Sequence, residues 1–443
     1  MPVSPMLASL FDDHIRIQRQ RTDEAMATRN FDTLAIHAGS PHMLFLDDHP
    51  YPFKPNPHFK LWVPLEDAVD CWLVYRPGEK LRLIFLQPAD YWHKPPALPQ
   101  GFWTRHFQIE VIRDPVEARR HLSHLGRCAF IGEWQQQFAD WGFAESNPEA
   151  LLQRLHYPRA IKTDYEIECM RHASHAAARG HVAAEAAFRA GKSEYDIHMA
   201  YVRATGHTER ELPYSNIVAL NANASVLHYQ HQEREAPAQH HSFLIDAGAQ
   251  FHTYAADVTR TYAAADGDFA ALIAGMESLQ LHLCAQVRNG VDYATLHLDA
   301  HLRIATLLHE SGIITLPAAD AVATGLSGVF FPHGLGHLVG LQVHDVSGFS
   351  VDASGTRKAT PPGHPNLRLT RTLEPGFVVT IEPGLYFIDM LLDEARKSAH
   401  ARHINWHRVD EFRPYGGIRV EDNVACTAGD PENLTRNAFA ALA

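Results

Sequence analysis

The chain has 443 residues, 46% hydrophobic and 20% charged, the make-up of an ordinary soluble globular protein with room for two or more domains. Its 39 basic and 51 acidic side chains leave a formal charge of −12, which argues against nucleic acid or an anionic membrane surface as the main partner. Five widely spaced cysteines, Cys71, Cys128, Cys169, Cys284 and Cys426, form no CxxC pair, which excludes a disulfide framework and a zinc-thiolate site. The N-terminus carries Asp12, Asp13 and arginines instead of the apolar segment of a signal peptide. No apolar run reaches the roughly 18 residues a membrane span needs, so a cytoplasmic protein is expected.

Residues Ser9 to Thr28 predict a surface helix with Leu10, His14, Ile17 and Ala25 on its apolar face. Phe31 to His37 predicts a strand. Phe45 to Phe59 reads FLDDHPYPFKPNPHF, and its four prolines predict a shaped loop carrying Asp47, Asp48 and His49. Such a loop is either solvated or part of a site. Cys71 to Tyr75 and Leu81 to Leu86, around Pro77 and Gly78, predict a hairpin. Tyr91, Trp92 and His93 precede a double proline and are either a packed cluster, the reading we favour, or a recognition wall. Val116 to Leu125 predicts a helix, Cys128 to Ile131 a strand and Pro148 to Leu155 a helix. This alternation implies an α/β domain, and nothing in it resembles a glycine-rich phosphate loop.

The domain boundary falls near His156 to Ile161. Thr163 and Glu166 form a T-x-x-E capping box that opens a helix, and Gly191 is placed to stop it. Ser193 and Asp196 open another, through about Ala204, and Phe269 to Val287 and Tyr293 to Glu310 give two more. Strand-like runs lie at Ser242 to Asp246, Tyr254 to Thr261, Phe377 to Glu382 and Gly417 to Val424. Helices interleaved with such runs imply an α+β domain with a mainly antiparallel sheet.

Acids punctuate those strands. Phe243-Leu244-Ile245 runs into Asp246, Asp257 interrupts its strand, and Val378-Val379-Thr380-Ile381 runs into Glu382. In Ile418-Arg419-Val420-Glu421 the period of two sets Arg419 and Glu421 on one face. A charge at the buried end of an apolar strand is costly unless paired, and opposed carboxylates need a cation or a shared proton. Between the acids lies Phe330 to Asp345, FFPHGLGHLVGLQVHD, with His333, His337 and His344 set among Gly334, Gly336 and Gly340. Glycine at that density argues against a helical pair of ligands and for a turn or bulged strand whose backbone comes close to something. In a chain with 31 histidines such a cluster is either metal-binding or catalytic, or a set of hydrogen-bonded structural residues. The acids on both sides favour a metal site at Asp246, Asp257, Glu382 and Glu421. Two divalent cations balance four carboxylates. Oxygen-rich donors without thiolate suit manganese, while zinc and cobalt also tolerate them. Two such ions close together clamp a reacting group from both sides, which is hydrolytic chemistry.

The order DAG…D, PHGLGH, IEPG and RVED is similar to that of the pita-bread metallopeptidases, which include methionine aminopeptidases, aminopeptidase P and prolidases. The likeness spans about Lys162 to Thr427. FLDDHPYPFKPNP, PHGLGHLVGLQVHD and the chain length resemble, within that family, the bacterial Xaa-Pro dipeptidases, with organophosphorus acid anhydrolases close by. The resemblance implies an α+β chain: a smaller N-terminal α/β domain, 1–160, then a pita-bread catalytic domain, 161–443. It implies metal ligands at Asp246, Asp257, His337, Glu382 and Glu421, with Asp257 and Glu421 bridging two ions and Glu382 as proton shuttle. It implies that His344 and His228 contact substrate, that Tyr214, His333 and Arg419 belong to the active site, and that Asp48 and Trp92 close the pocket, as the loop of a partner subunit in a homodimer. Arg419 either recognises the substrate's carboxylate or braces Glu421. The implied activity is hydrolysis of Xaa-Pro dipeptides, with a side activity on organophosphorus esters. Three alternatives stand beside it: release of the first residue from longer Xaa-Pro peptides, a metal-free enzyme, and a non-catalytic binding protein on the same fold.

Overall fold

In the computed structural model, which describes residues 5–442, the apolar run Thr33–His37 forms a strand (β1) buried at all five positions. A strand covered on both faces takes a central place in its sheet. Around it stand Trp72–Tyr75 (β2), Leu81–Leu86 (β3), Phe107–Ile112 (β4), Cys128–Ile131 (β5) and Glu145–Ser146 (β6), in the order β4-β3-β2-β1-β5-β6. β2 is antiparallel to β1 and β3, and the remaining pairs are parallel. The expected hairpin turns at Gly78, whose φ of 77° suits glycine. The first helix, Pro5–Ala27, buries Leu7, Phe11, His14, Ile15, Gln18, Thr22, Ala25 and Met26. That face is rotated from the expected one, and Leu10 and Ile17 are only half-buried.

Three local expectations need correction. The proline-rich loop ends in one helical turn, Pro57–Lys60, because Asn56 caps it by accepting from the His58 N–H. The helix expected over 116–125 is reduced to a 3-10 turn, Pro115–Glu117, and one α-turn, Ala118–His121, and His124 is in the left-handed region at φ 60°. Tyr91 and Trp92 are not packed: they are 87% and 76% exposed. Their segment is held by the Trp92 N–H donating to Asp90 Oδ1 at 2.7 Å, a turn that needs no burial.

The described residues form two compact units. One takes the chain up to Arg159 with Thr163–Glu168 and Asp352–Thr356, and the other takes Ala160–Lys162, Cys169–Val351 and Arg357 onward. The capping box forms as read: the Thr163 N–H donates to Glu166 Oε2 (2.8 Å) and the Glu166 N–H to Thr163 Oγ1 (3.4 Å), opening the helix Asp164–Arg189. Ser193 caps Glu194–Thr205 in the same way, and Gly206 ends it at φ 74°. The helices Asp268–Ala285 and Tyr293–Glu310 supply much of the second unit's largest core.

The strands of the second unit are Ile217–Leu220 (β7), Ser242–Asp246 (β8), Ala249–Phe251 (β9), Tyr254–Ala256 (β10), Thr259–Ala263 (β11), Val378–Ile381 (β12), Gly384–Tyr386 (β13), Gly417–Arg419 (β14), Asp422–Ala425 (β15) and Glu432–Asn433 (β16). Every pairing among them is antiparallel, in the orders β11-β8-β7, β10-β9, β12-β15-β16 and β13-β14. Each of three strand-like runs stops at an acid, at Asp257 and Glu382 where the sequence places an interruption and a strand end, and at Glu421 where it expects a continuous strand. Asp257 falls between β10 and β11, Glu382 between β12 and β13, and Glu421 between β14 and β15. The break at Glu382-Pro383 lies opposite Val420-Glu421, where the Val420 N–H reaches the Pro383 carbonyl at only 3.4 Å. Interruptions of this kind re-aim side chains, and here they release carboxylates from the strict alternation of a strand.

Candidate metal centre

The glycine-rich segment runs alongside β12 as irregular backbone with a single bridge, Leu338 to Val379, between the turn and the bulged strand expected of it. Its rungs are His337 carbonyl to Thr380 N–H, Val339 N–H to Val378 carbonyl, and Leu335 carbonyl to Glu382 N–H. Gly336, at φ 156°, has no room for a side chain, because the Thr380 carbonyl and the Tyr293 hydroxyl occupy the place of its Cβ. That close approach is the something the glycines admit, and it fixes His337 opposite Thr380, two residues before Glu382. The His337 Nδ1–H donates to the Leu338 carbonyl (3.0 Å), which leaves Nε2 as a lone-pair donor. Nε2 points at carboxylates, 3.5 Å from Asp257 Oδ2 and 3.6 Å from Glu382 Oε1. Ligand atoms of Asp257, His337 and Glu421, all buried, lie within 4.8 Å of one another.

The neighbouring sheet supplies the other acids. Asp246, at the end of β8, is paired in register with Thr259, and Thr259 bridges to Glu421. The Tyr214 hydroxyl sits between Asp246 Oδ1 (2.8 Å) and Asp257 Oδ1 (2.5 Å). The Thr259 hydroxyl donates to Glu421 Oε2 (2.7 Å), and the Asp257 N–H donates to Asn423 Oδ1 (2.9 Å). Four carboxylates thus converge in a buried space against Arg419, which donates from Nη2 to Asp246 Oδ2 at 2.7 Å, and against the His337 imidazole, whose contact with Asp257 favours its protonated form while no metal is bound. Burial first, and then mutual repulsion, pushes the Glu382 carboxyl up to about 7 and the Glu421 carboxyl well above its usual range. Asp246 is likewise raised by burial, while Asp257 is lowered by the His337 imidazole. Such a set is poor as a structure in its own right and well suited to divalent cations: oxygen-rich, one free imidazole lone pair, and enough negative charge for two ions.

The carboxylates open onto a cavity of about 990 Å³ whose wall includes His228, Asp246, Asp257, His333, His337, His344, Glu382, Arg419 and Glu421. His344 lines the cavity with its ring 4.3 Å from that of His337 and perpendicular to it, and desolvation by the surrounding wall, then the neighbouring His337, holds it down to about 4 although its surface is partly open to solvent. Of the expected substrate residues, His333 lines the cavity but has both nitrogens in use, Nδ1 to the Gly334 carbonyl and Nε2 to the Tyr386 hydroxyl, each at 2.8 Å. Tyr214 stands behind the carboxylates and does not line the wall. Asp48 and Trp92 belong to the other unit, are exposed, and are not among the residues brought together here.

Arg419 resolves one open alternative. It is 4% exposed, and its donors reach Asp246, the Tyr386 hydroxyl (Nη1, 2.9 Å) and the Thr259 hydroxyl (Nε, 3.3 Å). It braces a carboxylate, and the one it braces is Asp246, not Glu421. Two residues absent from the sequence reading enter here. Tyr386, fully buried in β13, joins Arg419 to His333, and no local pattern marks it. Arg368 is an exposed cation on the cavity wall, on a loop whose composition gives no signal.

Comparison with known proteins agrees with this geometry. Residues 9–157 match a family model described as the N-terminal domain of Xaa-Pro dipeptidase, and residues 168–428 match metallopeptidase family M24. The chain is 53% identical over 439 residues to a protein named Xaa-Pro dipeptidase from Xanthomonas axonopodis pv. citri (strain 306), with 99% of both chains covered. It is 52% identical over 435 residues to one of the same name from Stenotrophomonas maltophilia (strain K279a), with 98% of each covered. Among solved structures it resembles a histidine-to-alanine variant of Escherichia coli aminopeptidase P, with a TM-score of 0.74 at 22% identity over 99% of this chain and 96% of that one. Proline aminopeptidase P II from Yersinia pestis gives a TM-score of 0.71 at 23% identity, over 95% and 96%. At such identities these likenesses bear on the fold, and the fold is the expected pita-bread one behind an N-terminal α/β domain.

Proposed function

The chain belongs to metallopeptidase family M24, and from that premise we propose that it is an Xaa-Pro dipeptidase whose centre is two divalent cations, manganese in preference to zinc or cobalt. The observation that carries the reading is the convergence of Asp246, Asp257, His337, Glu382 and Glu421 on one cavity. The full-length relatives named Xaa-Pro dipeptidase support the substrate class. The proposed domain division is 1–160 and 161–443, supported by where the two family models end and begin.

Ions held by these donors supply Lewis acidity at the scissile carbonyl and an activated water at neutral pH. The protein's own groups do the rest. The Glu382 carboxyl takes a proton from the attacking water and returns it to the proline nitrogen, from its place beside His337 on the cavity wall. His344 is neutral at pH 7, and its N–H donates to the oxygen that gains charge, with His228 beside it on the wall. Proline's nitrogen carries no hydrogen, so recognition rests on the ring and the free carboxylate. Arg419 is occupied with Asp246, and Arg368 is the exposed cation proposed to take that carboxylate. Tyr386 and His333 hold Arg419 in place as positioning residues.

A homodimer is the proposed assembly. Phe45, Leu46, Tyr91 and Trp92 are 89%, 91%, 87% and 76% exposed, more apolar surface on two loops than a monomer ordinarily shows. A second copy seated there would give Asp48 and Trp92 their expected place. All five cysteines are buried and free, which supports the cytoplasm, and among the described residues no helix is long and apolar enough to cross a membrane. A side reaction on organophosphorus esters rests on the same centre, because a tetrahedral phosphoryl group resembles the intermediate of peptide hydrolysis. Stronger turnover of a phosphotriester than of Ala-Pro would reverse the two activities.

The test strips the protein with a chelator and assays Leu-Pro and a longer Xaa-Pro peptide before and after manganese is added. Manganese-restored cleavage of the dipeptide alone is expected. Cleavage of both would make the chain aminopeptidase P-like, and folded protein inactive with every metal would make it a binding protein.

A further inference from the structure

Three imidazoles meet behind the cavity wall. His297 and His301 lie four residues apart on the helix Tyr293–Glu310, hence on one face, and are 1% and 2% exposed. His364 reaches them from a loop, with its Nδ1 2.9 Å from His297 Nε2. The ring centroids are 4.5–4.7 Å apart and the planes steeply inclined, at 68–87°. The His301 Nδ1 is 3.0 Å from the Ser327 hydroxyl, which leaves its Nε2 for the cluster. Ligand nitrogens of all three lie within 4.8 Å of one another. The other ring nitrogen of His297, Nδ1, is buried with no hydrogen-bond partner among the described residues.

We propose that His297, His301 and His364 form a third metal site, separate from the carboxylate centre, that takes a nitrogen-preferring divalent ion such as zinc. Three histidines at i, i+4 and a distant loop position form a common first shell for zinc, with water completing a tetrahedron. Bonds of about 2.0–2.1 Å would set the nitrogens roughly 3.3 Å apart, which opens the His297–His364 pair from 2.9 Å and needs His301 within the same reach. Burial holds His297 near about 2 and His301 near about 3, so all ligands are in the neutral form metals need. No carboxylate belongs to the cluster, so manganese, which favours oxygen donors, fits it poorly.

The position gives the ion a task. Pro365, Asn366, Leu367 and Arg368 follow His364 directly and line the catalytic cavity. Gly334 lets the same loop close on the PHGLGH segment, since a Cβ there would meet Leu367 Cα at 2.8 Å. An ion on His364 would tie this wall, with Arg368 on it, to the helix Tyr293–Glu310.

The experiment loads metal-stripped full-length protein with zinc, removes free metal by gel filtration and counts ions per chain by elemental analysis. Wild type is expected to hold three and the loop variant His364→Gln two. Asp257→Asn is expected to keep at least the third ion and to lose it when His364→Gln is added. Manganese loading is expected to stop at two in wild type. Two zinc ions in wild type with no loss in His364→Gln, confirmed as folded by circular dichroism, would overturn the proposal. Because the third ion is read as the one ion lost on adding His364→Gln in both the wild-type and the Asp257→Asn backgrounds, failure of the dinuclear reading would show separately.

Discussion

Glu421 and Asp422 are consecutive, and both are buried, at 2% and 0% exposed. The chain treats them in opposite ways. Glu421, in the break between β14 and β15, sits with Asp257, Glu382 and Asp246, while Asp422 opens β15 and finds other partners. There Asp422 accepts from Arg260 Nη2 (2.7 Å), Arg436 Nε (2.9 Å) and Asn433 Nδ2 (2.8 Å), and these cations hold its carboxyl well below the usual range. Glu421 has one hydroxyl donor and three carboxylate neighbours, and is raised well above it. Burial of a charge therefore says nothing about function by itself. The informative quantity is whether the fold supplies the countercharge, as it does for Asp422, or leaves it to come from outside.

The comparison breaks most visibly in activity. Asp257→Asn removes a ligand from the unbalanced side, and kcat/KM on Leu-Pro should fall by more than the roughly 10²–10³-fold of a lost oxyanion donor. The folded content, read by circular dichroism, should not fall, because one of four repelling charges has gone. Asp422→Ala should do the reverse. It leaves the buried guanidinium of Arg260 and the half-buried one of Arg436 without their shared carboxylate and should lower unfolding stability by about 3–5 kcal/mol, read in denaturant titration. Residual activity per folded molecule should survive it. A smaller effect is expected at Tyr386→Phe, which unties Arg419 from His333 without touching a ligand. A loss of about 10–100-fold, recovered in part at higher metal concentration, would identify it as a positioning residue.

Much of this was legible in the sequence, and the reason is local. A strand of four or five apolar residues that ends in Asp or Glu is visible as such, and so are Ser193 and the Thr163–Glu166 box, because caps are made by neighbours. The interruption at Asp257 and the strand end at Glu382 were legible, but the break at Glu421 was not, since it depends on the strand opposite. Arg419 was found but given the wrong carboxylate, because Asp246 is 173 residues away. His297 and His301 show helical spacing, but His364, 67 residues beyond His297, shows nothing that connects it to them. Tyr91 and Trp92 were read as packing because aromatic residues usually are, and here a turn at Asp90 holds them in the open.

The smallest expected effect separates the two carboxylates by sign. In the unfolded chain Glu382 titrates near about 4.3 and Asp422 near about 3.9. In the folded, metal-free protein Glu382 is pushed up to about 7, so its contribution to stability is complete below pH 4 or so and drains away as pH rises toward 7. Asp422 is depressed, so its contribution is complete above pH 4 or so and drains away as pH falls. Each slope is at most about 1.4 kcal/mol per pH unit for one proton. Thermal unfolding of the metal-free protein should therefore weaken between pH 5 and pH 7, and Glu382→Gln should flatten that limb alone. Asp422→Asn should leave the limb intact and remove part of the acid one. A divalent ion should abolish the neutral limb in wild type, because it supplies the charge that the fold withheld. If metal-free wild type were instead most stable at pH 7, the four carboxylates would have a countercharge within the protein, and the contrast between Glu421 and Asp422 would vanish.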